Sequence, residues 1–334
     1  MSHSLVSVYL PLLLWPGLGL VLSQVLPSDF PRLLGRLLYW VGIPLEIFAL
    51  AHGTDFSQNT GLAPLFTVVA VVLGLGLGLL TLWGIRWAEQ ARAVLVGDDG
   101  VEQTLVWADK ARQGSFVLGA MIGNTGFVGL AVVPALVSGP YLGWAVFYSV
   151  TQNLVGTYGL GVLVASYFGR GLHTQSRWQQ LQDVLTVPSL WAFGLGYLSH
   201  RWVLAGWVEL SLGRSVGVVI ALALMLMGMR FSQIQGWQSL RLAIAPTLIK
   251  ILVLPALVGM VALAARLPLD ACQVLVLMAG MPSAFAGLIL AEEYELDREL
   301  ASSNIALSSL ALLVTIPLWL ALFAGLALTP GLGA

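Results

Sequence analysis

Apolar runs of about 20 residues, separated by short polar punctuation, set the pattern of this chain. Ten can be read, at roughly 5–26, 33–52, 63–85, 114–138, 142–168, 184–204, 212–230, 240–264, 271–293 and 300–326. A helix needs about 20 mainly apolar residues to cross the hydrocarbon of a bilayer, so each run predicts one transmembrane helix. Most linkers are short. The exception is 86–113, whose mixed charges surround a Gly97-Asp98-Asp99-Gly100 turn and predict a polar helical hairpin outside lipid. The chain divides into five spans over 1–168, a cytoplasmic linker at 169–183, and five further spans over 184–334.

Composition explains why these runs must meet lipid. Of the residues, 58% are hydrophobic and 9% charged, against about 25% charged in soluble domains. Too few charges remain to cover that apolar surface in water. The formal net charge of −1 lacks the dense basic face that nucleic acid requires. Cys272 is the single cysteine, and His3, His52, His173 and His200 are scattered. No disulfide, metal site or cofactor is expected. Met1 to Leu10 contains no Lys or Arg, and the first apolar run is too long for a secretory signal core. It reads as a first transmembrane helix.

Basic residues at the span ends orient the chain. One side receives Arg32, Arg36, Arg86, Arg92, Lys110, Arg112, Arg170, Arg177, Arg230, Arg241 and Arg298; the other receives only Arg201, Arg214 and Arg266. The basic side is the cytoplasmic one, which puts both termini on the periplasmic-type face of an inner membrane.

The two halves echo each other. Pro11 with Gly17-x-Gly19 recurs as Pro188 with Gly194-x-Gly196, and Leu34-Gly35-Arg36 as Leu212-Gly213-Arg214. Gly53-x-x-Phe56-Ser57-Gln58 recurs as Gly228-x-x-Phe231-Ser232-Gln233, Ala63-Pro64 as Ala245-Pro246, and Phe127-Val128-Gly129-Leu130 as Phe285-Ala286-Gly287-Leu288. An odd number of spans per repeat turns the second half upside down. Inverted repeats of this kind characterise secondary transporters.

Spans four and nine are interrupted at equivalent places. One carries Gly123-Asn124-Thr125-Gly126-Phe127-Val128-Gly129 and the other Gly280-Met281-Pro282-Ser283-Ala284-Phe285-Ala286-Gly287. Pro removes a backbone donor and Gly permits non-helical backbone. Asn124, Thr125 and Ser283 are good N-cap types for the half-helices that resume. Unwound backbone at membrane depth is tolerated only beside protein or a water-filled cavity. Two half-helix N-termini meeting there would present N–H groups and positive dipole ends to an anion, most simply a carboxylate. The candidate binding residues are Asn124, Thr125, Gly126, Pro282 and Ser283. The plainer alternative, that Gly and Pro merely ease helix packing, accounts less well for the paired placement.

Ionisable groups at membrane depth are costly and mark function by default. Lys250 lies mid-span in the eighth run and Glu46 mid-span in the second, just after Pro44. Lys250 is expected to support the crossing of the broken helices or the substrate anion. Glu46 fits three roles: carrier of a coupling proton, ligand of a cation such as sodium, or structural partner that neutralises Lys250. Gln152, Asn153 and Thr157, with Ser302, Ser303 and Asn304, fit either a cavity lining or interhelical hydrogen bonds. No Gly-x-Ser-x-Gly, His-Glu-x-x-His or paired-aspartate motif supplies a nucleophile or metal, so an intramembrane enzyme is not expected. A channel suits inverted repeats with broken helices less well than alternating access. An antiporter would want acidic residues beside the breaks, and none stands there.

Three stretches resemble the auxin efflux carrier family, which includes plant auxin exporters and bacterial malate- and malonate-type permeases. They are SFVLGAMIGNTGFVGLAVV, Lys250-x-x-x-x-Pro255, and MPSAFAGLILAEEYELDRELASSNIALSSLALLVTIPLW. The second span, LLYWVGIPLEIFALA, is also similar to the family's. The resemblance implies an all-α fold of ten helices shared with bile-acid and sodium–proton transporters, in which helices four and nine are broken and cross. It further implies organic-anion transport by an elevator-like movement, as a homodimer. The family places a proline soon after the fourth-span element where this chain has Ala131, so the break is expected to rest on Gly126 and Gly129.

Overall fold

The computed structural model describes residues 2–27, 29–53, 61–96, 105–137, 141–169, 188–232 and 237–327. Its helices are α1 (Ser2–Leu22), α2 (Phe30–His52), α3 (Leu62–Val96), α4 (Lys110–Met121), α5 (125–136), α6 (142–168), α7 (Pro188–Ser199), α8 (Gly206–Phe231), α9 (237–264), α10 (Leu269–Ala279), α11 (Phe285–Glu293) and α12 (Arg298–Ala327). Five of these, α2, α3, α8, α9 and α12, contain stretches long and apolar enough to cross a membrane. The pairs α4/α5 and α10/α11 fall short because each is a span cut in two. The chain is an all-helical, multi-pass membrane protein.

The polar stretch at 86–113 departs from its expected form. Helix α3 continues to Val96, so the first part of the stretch extends a span instead of starting a hairpin. The run Ala88-Glu89-Gln90-Ala91-Arg92-Ala93 is rich in strong helix formers and carries the helix past the apolar pattern. A single turn at Val106–Ala108 folds back on it, with Trp107 N–H donating to Glu89 Oε2 at 3.2 Å. Asp109 then caps α4 by accepting from Ala111 N–H at 3.0 Å. The Gly97–Gly100 turn lies outside the described residues. So do Arg170, Arg177 and the rest of the linker from 170 to 187, along with Phe56-Ser57-Gln58 and Gln233.

Two sets of helices pack among themselves. In one, α1 lies along α8, α7 along α2, and α8 against α2. Without a hydrophobic drive between helices in lipid, such contacts depend on close backbone approach at small residues. Gly228 meets this need where α8 passes α1: a Cβ there would stand 1.9 Å from Pro16 O. In the other set, α3, α4, α6, α9, α10 and α12 enclose a core in which Trp144, Tyr148, Phe116 and Met278 are buried.

On the side of the basic span ends, Arg112 Nε donates to Asp297 Oδ2 at 3.1 Å, with both side chains largely covered. Asp297 Oδ1 also accepts from Leu300 N–H at 2.9 Å, capping α12, and its backbone carbonyl accepts from Ser115 Oγ at 2.7 Å. Asp297→Ala removes a cap worth about 1 kcal/mol and a pair worth up to about 1 kcal/mol. A drop of about 2 kcal/mol in unfolding free energy is expected in a denaturant titration of the purified protein. A change below about 0.5 kcal/mol, the size usual for an uninvolved surface site, would mean the clasp contributes nothing.

Candidate functional site

The two chain breaks meet. Helix α4 ends at Met121, Ile122 is extended (φ −92°, ψ 119°), and α5 resumes in a wide π turn at Thr125–Gly129. Helix α10 ends at Ala279, and Ala284 is extended (φ −78°, ψ 145°) before α11 begins. The two interruptions pair antiparallel through Asn124 N–H to Pro282 O at 2.7 Å and Ala284 N–H to Ile122 O at 3.0 Å. Each break thus satisfies backbone groups of the other that lipid could not. The non-helical residues 122–124 precede both Gly126 and Gly129, so the interruption starts earlier than expected.

The polar residues at the breaks divide the work unequally. Asn124 is the N-cap of α5, its side-chain oxygen accepting from Phe127 N–H at 3.3 Å. Ser283 does not cap. That position falls to Ala284, which offers no side-chain acceptor to α11. Instead, Ser283 Oγ donates to Gly119 O at 2.7 Å and accepts from Asn304 Nδ2 at 3.0 Å. Asn304 Oδ1 in turn accepts from Thr247 Oγ1 at 2.7 Å, and Ser308 Oγ accepts from Ser283 N–H at 3.0 Å. This network fastens the second break to α4, α9 and α12.

Lys250 stands beneath the crossing, 2% exposed, in a wide π turn at Ile249–Val253. Its Nζ donates to Ala279 O at 2.5 Å. That carbonyl ends α10, where a cation complements the negative end of the helix dipole. Glu46 is fully buried, and neither carboxylate oxygen has a hydrogen-bond partner. The two are not an ion pair, which removes the reading of Glu46 as the group that neutralises Lys250.

A cavity of about 600 Å³ opens above the breaks. Its floor is formed by Gly123 to Phe127 and Ala284 to Ala286, and its walls include Asn153, Thr157 and Tyr158 of α6 with Ile43 and Tyr39 of α2. Arg32, Arg36, Arg230, Glu292 and Glu293 surround the mouth. Of the expected binding and lining residues, Asn124, Thr125, Gly126, Asn153 and Thr157 reach this cavity together. Pro282, Ser283, Asn304, Gln152, Lys250 and Glu46 do not line it.

Sequence reasoning missed the aromatic and basic lining. Tyr39 and Tyr158 hydroxyls hydrogen-bond to each other, joining α2 to α6 at the wall. Arg36, Tyr39 and Ile43 follow one another at three and four residues along α2 but span the π turn at Leu38–Gly42, so regular spacing alone does not assign them to one face. No acidic side chain lines the floor; the glutamates stand at the far end of α11. The floor therefore offers amide and hydroxyl groups and two helix starts, without a competing negative charge.

Paired breaks in an all-helical membrane bundle, with a cavity that ends on them, define a membrane transport protein. Residues 214–320, from within α8 through most of α12, match the family described as membrane transport protein. An "uncharacterized transporter" of Methanothermobacter thermautotrophicus is 29% identical over 95% of this chain and 97% of its own length. A second, from Methanocaldococcus jannaschii, is 24% identical over 88% and 90%. The Escherichia coli uncharacterized transporter YfdV is 31% identical over 22% of this chain and 24% of its own. Together these bear out the resemblance to the auxin efflux carrier family.

Proposed function

We propose that this protein is a secondary carrier of a small organic anion, a carboxylate in the simplest case. The observation that carries the reading is the cavity floor. There two half-helices start side by side, α11 without a side-chain cap, beside Asn124, Thr125 and Asn153 and with no acidic group. The first N–H groups of a helix need acceptors from outside it, and an anion supplies them with favourable dipole interaction.

Alternating access follows from the same reading. The ten spans form two inverted repeats, and the set containing the breaks shifts against the set α1, α2, α7 and α8. Matched glycines support the repeat. A Cβ on Gly19 of α1 would stand 2.0 Å from Met225 O of α8, and one on Gly196 of α7 would stand 2.8 Å from Phe48 O of α2. Equivalent residues thus make equivalent contacts with exchanged partners. The open mouth lies on the side of the basic span ends, the cytoplasmic side in this orientation. The carrier sits in the inner membrane as a homodimer.

The test is thermal stability of the purified protein against a panel of mono- and dicarboxylates. A ligand at 100 times its Kd stabilises the folded state by about 2.7 kcal/mol. One carboxylate is expected to raise the midpoint, and Asn124→Ala and Asn153→Ala to lose that shift. A panel in which no carboxylate stabilises, or a shift retained in both variants, would overturn the assignment.

A further inference from the structure

We propose that Glu46 is the centre of a small monovalent-cation site beneath the floor of the anion cavity, and that sodium is its occupant. The proposal rests on the reading of the cavity as the anion site and adds the ion coupled to it.

Position is the first argument. Arg36, Tyr39 and Ile43 face the cavity from α2. Glu46 follows Ile43 by three residues, on the same side of the helix and about 4.5 Å further along its axis at 1.5 Å per residue. It is therefore the next side chain on that face, just past the floor.

The second argument is what stands opposite. The half-helix Ile43–His52 packs against both the Thr125–Gly129 turn and the Leu142–Thr151 segment. These segments carry Thr125 and Ser149, two buried hydroxyls that have no hydrogen-bond partner, like both oxygens of Glu46. Ser149 Oγ lies 3.8 Å from the place a Cβ on Gly126 would take, so the hydroxyl of α6 adjoins the break itself. Trp144 Nε1, also without a partner on that segment, is a donor and stands apart from the set.

Buried polar groups in native proteins are almost always satisfied, and an uncompensated buried charge is strongly destabilising. Lys250 does not supply the compensation, since its ammonium is held on Ala279 O. One carboxylate with neutral hydroxyl oxygens is a hard-oxygen donor set of single negative charge. It balances a monovalent ion; a divalent one would need further carboxylates, and no group of three acidic, His or Cys residues exists among the described residues. A cation here and an anion above would share the segment Asn124 to Gly126 as a common wall. Each would then favour the other's occupancy, a reciprocal coupling.

The experiment measures the thermal midpoint of the purified protein in sodium chloride against choline chloride at equal ionic strength, with direct binding of radioactive Na+ alongside. Sodium is expected to raise the midpoint and to bind saturably. Glu46→Gln, which keeps volume and breaks no hydrogen bond, is expected to lose both effects. Ser149→Ala is expected to weaken Na+ binding about tenfold, and it serves as the second variant should Glu46→Gln not fold. The proposal is overturned if Na+ has no effect with or without a stabilising carboxylate. It is equally overturned if the effect survives Glu46→Gln, or if stability follows proton concentration with no competition from Na+. Carboxylate stabilisation measured in choline reads the anion site separately, so either reading can fail alone.

Discussion

Lys250→Met is expected to lower folded stability by about 2 kcal/mol and to abolish stabilisation by any carboxylate. Methionine nearly conserves volume, so the packing change is small. What disappears is the donor to Ala279 O. A buried carbonyl left without its partner costs about 1–3 kcal/mol, and the favourable charge at the end of α10 is lost with it. The functional effect reaches further than the stability effect. Ala279 is the last helical residue before the linker 280–284, whose Pro282 and Ala284 hold residues 122–124 in place. Releasing the end of α10 loosens both half-helix starts at once. Thermal midpoints with and without the stabilising carboxylate separate the two effects. Full carboxylate stabilisation in Lys250→Met would show that the lysine has no part in shaping the floor. Lys250→Arg is not expected to restore it, because the ammonium already lies 2.9 Å from where a Cβ on Gly123 would be, leaving little room for a guanidinium.

Gly228→Ala is expected to cost about 3 kcal/mol, the upper part of the range for forced overpacking, and to remove most monodisperse protein on size exclusion. The added methyl would meet Pro16 O at 1.9 Å, its carbonyl carbon at 2.6 Å and its Cα at 2.7 Å. All three are backbone atoms, so no side-chain rotation relieves the clash and α1 must leave α8. Gly17→Ala, on the same stretch of α1 but with no atom within 4 Å, is the control and should behave as the unmodified protein. Equal yields for the two variants would mean that α1 is not seated on α8 as described.

The sequence made the apolar runs, the two interruptions and the intramembrane charges legible, because all three are linear patterns. The orientation of single side chains at the breaks was not. Asn124 and Ser283 are the polar residues at the two breaks, yet one caps a helix at the cavity and the other is tied to Gly119 and Asn304 away from it. The cause is how each chain resumes. A wide turn follows Asn124 and takes up its side-chain oxygen, while Ala284, one residue after Ser283, takes the cap position of α11. Wide π turns also occur at Leu38–Gly42, Gln152–Gly161 and Ile249–Val253. Each inserts extra residues and shifts the helical phase, so a face read at regular spacing drifts on passing one. Tyr39 and Tyr158 sit within two such turns, 119 residues apart, and no periodicity could have brought them together. The end of α3 was missed for a simpler reason: apolar spacing stops near the membrane boundary, while helix propensity carries the backbone on to Val96.

The antiparallel pairing of residues 122–124 with 282–284 acts as a rivet between two parts of the chain some 160 positions apart. Two main-chain hydrogen bonds in a water-poor setting resist shear, so neither interruption can travel without the other. If the protein works as the carrier proposed above, the smallest rigid body that takes part includes α4, α5, α10 and α11 as one block. A solute seated on that block would then be conveyed as freight, held against the same backbone atoms at both ends of its journey.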